Sequence, residues 1–133
     1  MGYLIGAAMA AAVGLLATIV GFDRDRAFYL TVMIVIASDY VLFAVSGGAT
    51  ATIVIEIAVM SLFVVAAIAG FKRSLWLVVV ALAAHGILDR LHGAMIANPG
   101  VPPWWPQFCL GYDIVAAAYL ALRLRMARTR HNP

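Results

Sequence analysis

The chain has 133 residues, 65% of them hydrophobic and only 11% charged, against about 25% charged in a soluble domain. Apolar runs of the roughly 20 residues that cross a bilayer recur along almost all of it. This excludes a separate soluble domain, because the longest non-apolar stretch is a loop of about ten residues. The net charge of +3 would admit a nucleic-acid partner, but its placement speaks for topology and lipid headgroup contact instead.

The patterning predicts an all-α integral membrane protein with five transmembrane helices, near 3–21, 27–46, 50–71, 75–95 and 107–125, forming one domain over 1–133. The first run, MGYLIGAAMAAAVGLLATIVGF, lacks the positive flank of a signal peptide and is too long for one, so it reads as a retained span. Gly2, Gly6, Ala10 and Gly14 recur four apart along it. Small residues at that spacing make a groove for a close helix neighbour, either within the protomer or in a homo-oligomer. With no ionisable group, this helix reads as scaffold. The DRDR turn follows, and Asp23 and Asp25 are expected to be solvated and paired with the adjacent arginines.

The remaining four acidic residues lie inside spans: Asp39 in the second, Glu56 in the third, Asp89 in the fourth and Asp113 in the fifth. His85 and His92 join them. Ionisable groups at membrane depth are costly and normally face a bundle interior with a partner. In HGILDRLHG, positions 85, 89 and 92 follow an i, i+4, i+7 pattern and form one polar stripe. Arg90 points away from it, toward the headgroups. Cys109 lies one turn before Asp113 and shares its face. It is the only cysteine, which excludes an intrachain disulfide, and is read as a small packed thiol. Tyr40 and Tyr112, each one residue from an acid, are expected to point elsewhere. The loop NPGVPPWWPQ, with four prolines and two tryptophans, reads as an interfacial anchor or a lid near the pocket mouth.

Following the loops alternately puts Arg24, Arg26, Lys72, Arg73, Arg123, Arg125, Arg128 and Arg130 on one side. Only Arg90, itself inside a helix, is assigned to the other. Lysine and arginine mark the cytoplasmic face, so the N-terminus is expected outside and the C-terminus inside, in a bacterial inner membrane. At 1.5 Å per residue, most of the buried polar groups then fall roughly 9–10 Å below the outer surface.

Two imidazoles and up to four carboxylates make a donor set for a divalent first-row metal, zinc or iron foremost. The expected ligands are His85, Asp89, His92, Glu56 and Asp113. His85 and His92 stand about 10.5 Å apart along the axis, so one ion takes either His85 with Asp89 or Asp89 with His92, and two ions bridged by Asp89 are permissible. Asp39 or Glu56 is left to move a proton. A metal-dependent hydrolase or oxidoreductase acting on a lipid-like substrate is the leading expectation. A proton- or cation-coupled carrier and a non-catalytic subunit of a membrane complex are the alternatives, and for the polar groups themselves a structural hydrogen-bond network is a further one.

At HGILDRLHG, NPGVPPWWP and FCLGYD the chain resembles a bacterial family of small multi-span membrane proteins without an assigned activity. That family's pattern, a glutamate after a Gly-Gly turn, H-x-x-x-D-x-x-H, an Asn-Pro loop and a cysteine four residues before an aspartate, falls on Glu56, on His85, Asp89 and His92, on Asn98 and Pro99, and on Cys109 and Asp113. Asp39 has no counterpart in it. The resemblance covers roughly the last two-thirds of the chain and implies a residue set, not a reaction. Membrane zinc hydrolases of the ceramidase and adiponectin-receptor type share a multi-histidine, acid-rich site, but they have seven spans and a different motif layout.

Overall fold

The computed structural model describes residues 1–47 and 50–129. Over them the chain forms α1 (Gly2–Val20), a short 3-10 turn (Phe22–Arg24), α2 (Ala27–Gly47), α3 (Thr50–Lys72), α4 (Trp76–Met95) and α5 (Trp105–Thr129), with no strand among the described residues. All five α-helices are long and apolar enough to cross a membrane, which makes this a multi-pass membrane architecture. Its polarity is that of a protein dissolved in lipid. Leu4, Ile19, Leu62, Val65 and Val80 are exposed, while Glu56, His85, Asp89, His92 and Asp113 are buried.

Helix ends agree with the expected spans to within two residues except in α5. That helix begins at Trp105, so Trp105, Pro106 and Gln107 belong to it and not to the preceding loop. Pro106 is tolerated there because first-turn N–H groups have no intrahelical acceptor. At the other end α5 runs on to Thr129, because Leu, Arg, Met and Ala are good helix formers. α1 stops at Gly21, whose φ of 91° closes the helix through an N–H to the Ala17 carbonyl, a backbone state that glycine reaches without a Cβ clash.

The helices do not pack in chain order. α1 packs against α5, α5 against α4, α4 against α3 and α3 against α2, with a lighter contact of α2 on α4. Close packing in lipid depends on small residues, because tail-like side chains gain nothing by leaving the lipid. The α1 face Gly6, Ala10, Gly14 and Ala17 is buried. A Cβ at Gly6 would strike the Phe108 carbonyl, and one at Gly111 would strike the Tyr3 carbonyl. The Gly2–Gly14 face, which the spacing left open to a neighbouring helix or a second copy, is therefore occupied by α5 of the same chain.

The DRDR turn differs from expectation. The Asp23 side chain is buried and pairs across the bundle, accepting from Arg123 Nε (2.9 Å) on α5 and from Thr18 Oγ1 (2.6 Å) on α1. Thr18 in turn meets the Tyr119 hydroxyl at 2.8 Å. Arg26 caps α3 instead of pairing with an aspartate, donating to the carbonyls of Gly70 and Phe71. Asp25 is exposed and accepts from the Ala27 amide. Arg26, Arg73 and Arg128, from three different segments, come together at this end of the bundle; Arg130, expected on the same side, lies outside the described residues.

α2 stands away from α1 and α5, although α1 is its chain neighbour. The gap is a cleft of about 810 Å³ between Phe28, Val32 and Ile36 on one wall and Ile5, Met9 and Phe108 on the other. Phe43 of α2 reaches across to Trp105 of α5 at one end, with ring centroids 5.1 Å apart.

Candidate metal centre

α4 supplies the spine of the site. His85, Asp89 and His92 are all buried on one face of it, as their spacing requires, and Arg90 is exposed on another. Two neighbouring helices then divide the stripe into two groups.

The first group joins α4 to α5. His85 Nδ1 lies 2.7 Å from Asp113 Oδ2 and 3.5 Å from Asp89 Oδ2. One donor atom from each of His85, Asp89 and Asp113 falls within 4.8 Å of the other two. Gly86 allows this approach, since a Cβ there would stand 3.2 Å from the Cβ of Asp113. The Tyr40 hydroxyl of α2 donates to Asp89 Oδ1 at 2.8 Å. Asp89 Oδ2 and Asp113 Oδ1 are buried without a hydrogen-bond partner, which is expensive for a carboxylate unless something else satisfies it.

The second group joins α4 to α3 and the Asn-Pro loop. His92 Nε2 lies 2.8 Å from Glu56 Oε1, and Asn98 Nδ2 donates to the same oxygen (2.9 Å) and to the Tyr40 carbonyl (3.0 Å). The Tyr40 ring stacks on His92, with centroids 3.9 Å apart and planes 15° from parallel. Tyr40 is thus the partition between the groups, with its hydroxyl in one and its ring and carbonyl in the other.

The five expected ligands fall into two groups. His85, Asp89 and Asp113 come together; His92 and Glu56 form a separate pair. Among the described residues, only the first group brings three metal-type donors together. Tetrahedral ligands at 2.0–2.1 Å from zinc stand roughly 3.3 Å from one another. The His85–Asp89 separation already has that span, and the His85–Asp113 contact has to open by about 0.6 Å to match it. Asp89 Oδ2, already one of these donors, and Asp113 Oδ1 have no hydrogen-bond partner, which leaves acceptor capacity for such an ion.

Asp39 is half-buried on the cleft wall, which also includes Cys109 and Asp113. Glu56 is not on that wall. Its Oε1 meets His92 and Asn98 instead, so the two carboxylates expected as alternatives for moving a proton stand in different surroundings. The indole N–H of Trp105, above Cys109, is buried without a partner.

Tyr40 is the site residue that the sequence reading turns away from the site, while Asn98 enters it only through the family pattern. With Asp39 facing the site, the adjacent Tyr40 is expected to point away from it. The inward face of α2 is Tyr29, Met33, Ile36, Ala37, Tyr40 and Ala44. α2 is apolar almost all round, so no hydropathy stripe marks that face and the sequence does not select position 40 over 39. Asn98 had no signal beyond its place in an Asn-Pro loop. No protein-family profile, curated protein or solved structure matches the chain.

Proposed function

We propose that this chain is a divalent-metal-dependent membrane enzyme, with zinc or iron held by His85, Asp89 and Asp113, acting on a lipid-like molecule that reaches the site sideways through the α2–α5 cleft. The observation that carries the reading is the convergence of three buried donors, two of whose carboxylates keep an unpartnered oxygen. When bound, such an ion would supply Lewis-acid polarisation of an oxygen or activation of a water.

The chain's own residues do the rest. Tyr40 orients Asp89, and Gly86 sets the distance of Asp113. Asp39, on the cleft wall, is the carboxylate placed to accept or return a proton. The cleft is in the size range of ligand sites, roughly 300–1,000 Å³, and its walls are mostly apolar, with Asp39 and Asp113 among the few polar groups, which suits a chain-bearing substrate. In this reading the N-terminus is outside, the basic end is cytoplasmic in a bacterial inner membrane, and the site faces the outer leaflet. The resemblance to the bacterial family with the H-x-x-x-D-x-x-H pattern belongs to the same proposal.

The test is metal analysis of protein purified without chelators. About one ion per chain is expected in the wild type, with loss in His85→Ala and in Asp113→Asn. Wild-type protein free of stoichiometric metal, purified with metal present throughout, overturns the reading. A second reading, a metal-free proton or cation relay, is favoured by the short contacts that His85 and His92 already make to carboxylates. It predicts flux in proteoliposomes that Asp113→Asn abolishes.

A further inference from the structure

The basic end of the bundle holds a feature that the proposed reaction does not use. Arg26 (between the 3-10 turn and α2), Arg73 (between α3 and α4) and Arg128 (late α5) line one cavity of about 570 Å³. Its other walls include Leu75, Trp76 and Leu124. Three chain segments far apart in sequence bring three exposed arginines to one concavity, where solvent screens their mutual repulsion and an anion among them would be attracted by all three.

Among the described residues, the acidic groups at this end do not serve as that anion. The Asp23 carboxylate is bound to Arg123 and Thr18, and that of Asp25 to the Ala27 amide. None of Arg26, Arg73 and Arg128 forms an ion pair among the described residues. Arg26 is also pre-set: its Nε and one terminal nitrogen are fixed on the α3 carbonyls, and the other terminal nitrogen remains for a ligand. A guanidinium so held loses little freedom on binding an anionic oxygen.

We infer that this cavity is a binding site for a phosphate-bearing headgroup of an anionic membrane lipid. A phosphate anion is the chemistry that three arginines recognise. It could arrive free in water or on a lipid, and the walls favour the lipid. Trp76 and the two leucines give the cavity an apolar side for the upper part of a lipid, with the tryptophan at the headgroup level where this side chain concentrates. Basic pockets between spans on the cytoplasmic side are where such headgroups bind.

Native mass spectrometry of protein released from phosphatidylglycerol-containing nanodiscs tests this. One tightly retained phosphatidylglycerol per chain is expected in the wild type, and none from phosphatidylcholine alone. Arg73→Gln with Arg128→Gln should weaken retention by about 25-fold, at about fivefold per arginine. Arg24→Gln with Arg125→Gln removes the same charge outside the cavity and should leave the discrete adduct in place. Arg26 is left intact because its loss would uncap α3. Equal loss in both double variants reduces the effect to diffuse surface charge and overturns the site. Displacement of the lipid by millimolar inorganic phosphate overturns the lipid as its ligand in favour of free phosphate.

Discussion

Replacing Tyr40 by phenylalanine removes one oxygen from the partition between the two polar groups. The ring and its stacking on His92 remain, and so does the carbonyl that Asn98 binds. What disappears is the 2.8 Å hydrogen bond to Asp89 Oδ1. Asp89 Oδ2 already lacks a hydrogen-bond partner and the residue is 1% exposed. The variant therefore leaves a buried carboxylate with no hydrogen bond and only His85, at 3.5 Å, for support. A hydrogen bond to a charged group contributes about 1.5–3 kcal/mol, so the folded state should weaken by about 2 kcal/mol. Removing a partner that orients a metal ligand lowers metal affinity by about 10–100-fold. The assays are equilibrium unfolding in mixed detergent and a metal titration of the demetallated protein. Tyr29→Phe is the internal control, because the Tyr29 hydroxyl is buried without a partner, and its removal should be neutral or stabilising. If Tyr40→Phe matches wild type in both stability and metal affinity, Tyr40 does not position Asp89. If stability falls and no metal binds to wild type or variant, the polar group is a structural network.

Gly6→Ala should destabilise the bundle by about 1–3 kcal/mol, because α1 has to move off the Phe108 carbonyl. Gly93→Ala meets nothing within 4 Å and should be neutral or slightly stabilising in a helix; thermal unfolding in detergent compares the two. Arg123→Gln should lower stability by about 1.5–3 kcal/mol, since it takes a charged donor from the buried Asp23, whereas Arg24→Gln should leave the melting temperature unchanged. The reverse order would show that Asp23 is paired within its own turn.

The division between what the sequence determined and what the fold decided runs through single residues. A span in lipid must satisfy its backbone internally and turn its apolar surface outward, and both demands are local. Five helices, their approximate ends and the inward His85/Asp89/His92 stripe are therefore legible from periodicity and hydropathy alone. The inward position of Glu56 and Asp113 is legible too, because an ionisable group in a span normally faces the bundle interior, although Asp39 is only half-buried on the cleft wall. Which helices touch is not local. Nothing in a list of five apolar segments states that α1 packs on α5 instead of α2; that follows from a match of surfaces, Gly6 beneath Phe108 and Gly111 beneath Tyr3. The same packing opened the cleft beside Asp39, split the expected ligand set in two and put Tyr40 between the halves. It also sent Asp23 to Arg123 across the bundle in place of the arginine beside it in the chain. The sequence thus determines which groups must be buried, whereas their partners depend on distances between helices, which only the tertiary packing sets.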